Sequence, residues 1–206
     1  MTLAITFLPL ERRRRIERWL RGRDHFERLK DADAVVVSHG KSGRTWLRAM
    51  LSGFYHHAYD LETQALLGFD NLHREDPRIP RIFFTHDNYL KDYTGNHDSK
   101  RDFDHKKVVL MVRQPQDVVV SEYFNWKHRM KAGKMYLNDF PPHGADVSTF
   151  DFALRSCGLP RVLDFMNGWA REIPQRKDLL VVRYEDMRAD PTEAFARIVR
   201  FLGGPD

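Results

Sequence analysis

The stretch Ala34-Val35-Val36-Val37-Ser38-His39-Gly40-Lys41-Ser42-Gly43-Arg44-Thr45-Trp46-Leu47 decides the fold. Its short valine-rich run is the pattern of a strand buried on both faces. The run stops at small and polar residues, and an apolar-periodic segment (Trp46, Leu47, Met50, Leu51, Phe54) begins at once. The reading is strand, tight turn, helix. Such a turn ends where a helix offers unpaired backbone N–H groups and the positive end of its dipole. Gly40 and Gly43 let the backbone close around an anion, and Lys41 adds a full charge beside it. The stretch is an anion cradle.

The same pattern of apolar strand and punctuating turn recurs downstream. Arg81–Thr85 reads as a second strand ending in His86-Asp87-Asn88. Lys107–Val112 is a third, closing on Arg113-Gln114-Pro115, with Pro115 placed for the first turn of a helix. Leu179–Arg183 is a fourth, followed by Tyr184-Glu185-Asp186. Helices are expected from about Thr45 to His57, after Pro115, over Ser148–Arg155 and Pro160–Glu172, and from about Pro191 to Leu202, where Gly203-Gly204 stops the chain of turns. Asp60–Arg81 reads as a short helix plus loop, Lys91–Lys106 as an exposed loop, and Gly133–Val147 as a long loop of the kind that forms lids.

Apolar strands alternating with helices give an α/β fold, a central parallel sheet flanked by helices in three layers, P-loop-like in its nucleotide-binding turn. In such folds ligands sit beyond the carboxyl ends of the strands. The residues to inspect are then Lys41 to Thr45, His86, Arg113 and Tyr184 to Asp186. Cations, a histidine and a tyrosine with acids at four strand ends suit an anionic nucleotide.

Gly40-Lys41-Ser42 also invites a nucleotide-triphosphatase reading. That loop requires a further glycine at the position of Val35, inside the strand, so this turn is too short to wrap a triphosphate. The cradle instead resembles the 5′-phosphosulfate loop of cytosolic-type sulfotransferases, Pro-Lys-Ser-Gly-Thr-Thr-Trp-Leu, with Gly40 for the proline and Arg44 for the first threonine. Three further segments are similar to that family in the same order. Arg113-Gln114-Pro115-Gln116-Asp117-Val118 with Ser121 and Tyr123 resembles its 3′-phosphate segment. Phe84-Thr85-His86 resembles its Lys-Thr-His element, and Tyr184-Glu185-Asp186 with Asp190-Pro191 and Phe201-Leu202-Gly203 its C-terminal signature.

The resemblance implies a sulfotransferase that takes its sulfuryl group from 3′-phosphoadenosine 5′-phosphosulfate and passes it to a hydroxyl or amine of a small-molecule acceptor, without a metal. It implies that Lys41, Ser42, Gly43, Arg44, Thr45 and Trp46 hold the 5′ end, with Trp46 on the adenine. Arg113 and Ser121 would grip the 3′-phosphate, and Tyr184 would lie near the nucleotide. Lys41 and His86 would be catalytic, with Asp87 the substitute base or the residue that orients His86. Phe84 stands where many relatives have lysine. The chain stops at Asp206, before the basic segment that relatives close over the 3′-phosphate, so one sulfotransferase-like domain over 1–206, lacking the family's C-terminal part, is expected. Two alternatives stay open: a P-loop kinase-like phosphotransferase and a nucleotide-binding remnant without catalysis.

Composition agrees with a globular protein of 206 residues carrying a net charge of +5. That charge suits a phosphate-bearing ligand and discriminates little; nucleic acid is not the expected partner. A single cysteine, Cys157, excludes an intrachain disulfide. Met1–Leu10 is apolar and precedes Arg12–Arg15, the reverse of a secretory leader, and is too short to span a bilayer. No targeting segment is expected, and the cytoplasm is the default location. The arginine run reads as the solvated face of a short helix. Oligomeric state is left open.

Overall fold

A computed structural model describes residues 8–204; the expectations for the apolar start at Met1 and for the end at Asp206 lie outside them. The chain runs α1 (Leu10–Asp31), β1 (Ala34–Ser38), α2 (Arg44–Ala58), α3 (Asn71–Glu75), β2 (Ile82–Thr85), α4 (Leu90–Thr94), β3 (Lys107–Val112) and α5 (Pro115–His128). It continues with α6 (Ala132–Leu137), α7 (Thr149–Leu154), α8 (Leu159–Ala170), β4 (Leu179–Arg183), α9 (Tyr184–Ala189) and α10 (Pro191–Leu202).

The four strands form one parallel sheet in the order β2-β1-β3-β4. Every residue of β1 is buried, as its unbroken apolar run requires of a central strand. Side chains alternate between the two faces. Val36, Ile82, Val109 and Met111 face α2 and α10, packing with Leu47, Leu51 and Ile198. Val35, Val37, Phe83, Val108 and Leu110 face the other way, onto Leu29 of α1, Leu90, Phe103 and Trp169. A third cluster, built on Val118, Tyr123, Trp126 and Phe152, joins α5 to α7 and α8 beyond the sheet. The free thiol of Cys157 is buried there as a small filler, its pKa raised by that burial.

Three segments differ from expectation. Lys91–Lys106 is not simply an exposed loop: α4 lies against α1, and Phe103 is fully buried. Gly133–Val147 begins with α6, whose Met135 and Leu137 are buried. Neither helix exceeds two turns, too little for a periodic signal to show. The first helix is 22 residues long, not short. Its arginines are only partly solvated: Arg14 reaches Asp139, and Arg18 donates to the carbonyls of Leu137 and Asn88 and pairs with Asp92.

Gly22 sets how close α1 comes to α4. A Cβ there would overlap the carbonyl oxygen of Tyr89 and lie 2.8 Å from Tyr93 Cβ. Replacing a helical glycine by alanine ordinarily gains roughly 0.5–1 kcal/mol, but here backbone must move, at a cost of about 1–3 kcal/mol. Gly22→Ala is expected to lower the denaturant midpoint, and a raised midpoint would show that the helices can part freely.

Candidate active site

The sheet order dictates the site. β1 is followed in the chain by β2 on one side of it, while β3 lies on its other side. The crevice where the connections diverge therefore opens beyond β1 and β3, the usual ligand position in open α/β sheets. Across the carboxyl edge the four strand ends present, in order, His86, the cradle, Arg113 and Tyr184.

The cradle turns through two left-handed residues, Lys41 at φ 66° and Gly43 at φ 92°. Gly43 is the N-cap of α2 and offers no side chain to the first helical N–H groups, so those of Arg44, Thr45 and Trp46 are left for another acceptor. Glycine is also required at 43 by space, since a Cβ would lie 2.6 Å from Cδ2 of Tyr184. Ser42 is buried and Thr45 is exposed at the mouth of the turn.

Lys41 Nζ donates to Asn125 Oδ1 at 3.1 Å. Burial lowers its pKa, partly offset by the charge of Glu122. Arg113 donates from Nη1 to the carbonyl of Lys41 at 3.2 Å and from Nη2 to Asp117 Oδ2 at 3.3 Å. Its guanidinium lies 4.4 Å from the centre of the Tyr184 ring. Tyr184 in turn meets Trp46 edge to face, with centroids 6.0 Å apart. The structure thus brings Trp46, Tyr184 and Arg113 together in one wall beside the cradle. Ser121 is half-buried on α5, one turn beyond Asp117 and one turn before Asn125, so all three lie along one stripe. Two members of that stripe, Asn125 and Asp117, hold Lys41 and Arg113.

His86 stands on the other side of the cradle. Its Nδ1 lies 2.9 Å from the carbonyl of Ser38, and its Nε2 lies 2.8 Å from Arg44 Nη2. A carbonyl only accepts and a guanidinium only donates. Nδ1 therefore carries the proton, and Nε2 is a bare lone pair held by Arg44. Burial first, and the Arg44 charge second, hold the imidazole well below its usual pKa. Arg44 is itself pulled down to about 10 by burial, and its Nη1 is buried with no partner among the described residues. So the side chain of Arg44 points to the histidine rather than into the turn. Asp87 does not orient His86. Its carboxylate turns away to Lys100 Nζ at 2.6 Å and Trp169 Nε1 at 3.2 Å. Phe84 packs on the core, with the Arg48 guanidinium 5.8 Å from its ring.

Beside His86 and Gly40 opens a cavity of about 920 Å³, reaching from α1 to α8. Glu122, 7 % exposed, lies between this cavity and the cradle, its Oε2 3.3 Å from where a Gly40 Cβ would be. Burial raises its pKa against the pull of Lys134 and Lys41. Sequence reasoning missed Glu122, Asn125 and Lys134. Asn125 was within reach of it, four residues beyond Ser121 on the same face; Lys134 was hidden inside a segment read as loop.

Burial favours the neutral form of three of the described histidines. Burial lowers His25 to about 4, and lowers His39 and His86 as well. Each gains a proton near pH 6.5 once unfolded, so the unfolded state binds more protons below that pH and stability falls with falling pH. The loss is up to about 1.4 kcal/mol per pH unit for each histidine while it stays neutral in the fold. Denaturation midpoints are expected to drop steeply from pH 6.5 towards pH 4; a flat profile would mean that these imidazoles charge without unfolding.

Comparison with known proteins follows the same lines. The family described as "Sulfotransferase domain" matches residues 31–206. Sulfotransferase 2A1 of Macaca fascicularis is 24% identical over 198 residues, covering 88% of this chain and 62% of that protein. Cytosolic sulfotransferase 1 of Arabidopsis thaliana is 28% identical over 203 residues, covering 85% and 57%. The chain thus spans about three fifths of the length of these relatives. A crystal structure of a mouse sulfotransferase complexed with PAP superimposes with a TM-score of 0.51 at 19% identity, over 85% of this chain and 60% of that one, and shares its fold. No helix among the described residues is long and apolar enough to cross a membrane. The parallel sheet, the glycine turn and the match over residues 31–206 all carry one conclusion: the chain belongs to the sulfotransferase family.

Proposed function

We propose that this chain, as one domain, transfers a sulfuryl group from 3′-phosphoadenosine 5′-phosphosulfate to a hydroxyl or amine of a small acceptor. The observation that carries the reading is the order across the sheet edge: an imidazole with a bare nitrogen, a cationic glycine turn, an arginine, then a tyrosine. Arg113 and Ser121 take the 3′-phosphate, and the Trp46–Tyr184 wall takes the adenine. Lys41 and the N–H groups of Ser42 to Trp46 take the 5′ end. Transfer breaks the bond from sulfur to the 5′-phosphate oxygen as the acceptor oxygen or nitrogen bonds to sulfur and gives up its proton.

Each residue then has a defined part. Lys41 neutralises the charge that grows on the leaving oxygen. His86 Nε2 takes the acceptor's proton, and the Nδ1 bond to Ser38 keeps the ring in the tautomer that can do so. Arg44 holds the same lone pair and has to yield it to the acceptor. The phosphotransferase alternative is weaker, since the position where a triphosphate loop needs its first glycine is Val35, inside β1.

The test is calorimetric titration with 3′,5′-adenosine bisphosphate and, separately, with ATP and magnesium, followed by transfer assays with labelled donor. Binding of the bisphosphate alone, with transfer to an acceptor, is expected. Binding without transfer would leave a nucleotide-binding remnant, and preference for ATP would favour a phosphotransferase. Arg113→Ala removes a charge-assisted phosphate contact of roughly 1.5–3 kcal/mol, so bisphosphate affinity is expected to fall about tenfold to hundredfold. Unchanged affinity would place the 3′-phosphate elsewhere.

A further inference from the structure

The cavity on the His86 side of the cradle has a wall unlike that of a pocket for an apolar molecule. Its few large apolar liners include Leu137, Phe140 and Phe165; the rest are mainly polar or charged. Three of its carboxylates are already engaged: Glu11 and Asp139 by Arg14, and Asp87 by Lys100. Five of its cations, Arg15, Lys91, Lys134, Arg161 and Arg171, have no ion-pair partner among the described residues. Against them stand Asp98 and Asp164 at the exposed rim, and the buried Glu122.

Arg161 is the strongest of the five. It is half-buried, its guanidinium lies 5.2 Å from the centre of the Phe140 ring, and no acceptor among the described residues takes its N–H groups. Removing a guanidinium from water with no hydrogen-bonded acceptor is costly; burial lowers its pKa, offset in part by the charges of Cys157, Asp139 and Glu122. Lys134, from α6, lines the same cavity, and both charges act on the same two groups, His39 and Glu122, at its cradle end. A planar fork over an aromatic face, with an ammonium lining the same cavity, matches a carboxylate or sulfate.

We infer that the acceptor carries an anionic group of its own, a carboxylate or a sulfate, which Arg161 and Lys134 hold while a hydroxyl of the same molecule faces His86. This rests on the transferase reading above and names its acceptor class. The cavity of about 920 Å³ is lined by His86, Lys134 and Arg161 together, so one molecule can meet all three.

Binding tests this without requiring turnover. The full chain is titrated at low salt with two matched pairs: 4-hydroxyphenylacetate against its amide, and galactose 6-sulfate against galactose. The anion of at least one pair is expected to bind about tenfold or more tighter than its neutral twin, as one to two charge-assisted hydrogen bonds imply. Whichever pair discriminates tells carboxylate from sulfate. Arg161→Gln should remove the preference and Arg161→Lys keep part of it; circular dichroism checks the fold, and Lys134→Ala, at an exposed position, gives an independent reduction. Equal binding within both pairs, or tighter binding of the neutral twins, overturns the inference. So does a preference that survives both Arg161→Gln and Lys134→Ala, because the anion would then sit in the cradle. Failure of the bisphosphate to bind in its own titration would instead count against the transferase reading.

Discussion

Lys41→Ala is expected to lower sulfuryl transfer about a hundredfold to a thousandfold, the usual loss when one positioned donor is removed from developing charge. Single-turnover rates with labelled donor measure it, and a rate near that of the unaltered chain would take Lys41 out of the mechanism. Stability offers a control, because Lys41 sits in the left-handed region at φ 66°. Non-glycine residues there are strained by about 1–2 kcal/mol, and glycine relieves this while adding freedom to the unfolded chain. Lys41→Gly should therefore leave the denaturation midpoint nearly unchanged and still lose the rate. If both fell together, the lysine would be structural.

His86→Ala is the second large effect. A general base contributes about 10²–10⁴ in rate, and a loss of that size is expected with bisphosphate affinity little altered, since His86 lies across the cradle from Arg113 and Tyr184. Arg44 supplies the mechanistic check. Its charge depresses the His86 pKa, so Arg44→Met should raise that pKa. The base works only when unprotonated, so the acid limb of the pH–rate profile should move to higher pH. An acid limb that stays in place would mean that another group, or solvent, takes the proton.

Much of this was legible in the residues. The valine run, the glycine turn and three further apolar strands fixed sheet and site edge together, because a buried parallel strand has few other ways to be written. The residues following the apolar runs already placed His86, Arg113 and Tyr184 at strand ends. What remained hidden was the direction of side chains. Nothing in Arg44 announces that it bends from the turn to a histidine 42 residues away. Nor does Asp87, adjacent to His86, announce that it faces Lys100 instead. Side-chain pairings of that kind depend on which strands become neighbours, and spacing along the chain does not record it. Short helices such as α4 and α6 were missed for a simpler reason: about two turns cannot display a period.

The position of Tyr184 has a bearing on how the protein folds. It belongs to the last strand end of the sheet, yet it forms the wall against Gly43 and Arg113, which come from β1 and β3. A chain that has assembled only its first three strands has the lysine turn and the arginine, but no ring to close over them. Pairings between segments so far apart in sequence are slow to form, since loop closure precedes any gain from contact. If the proposed nucleotide binds at this wall, it selects only molecules in which the final strand has docked, and by mass action it deepens the native basin as a whole. Under that reading, occupancy and completed folding are coupled events for this sheet.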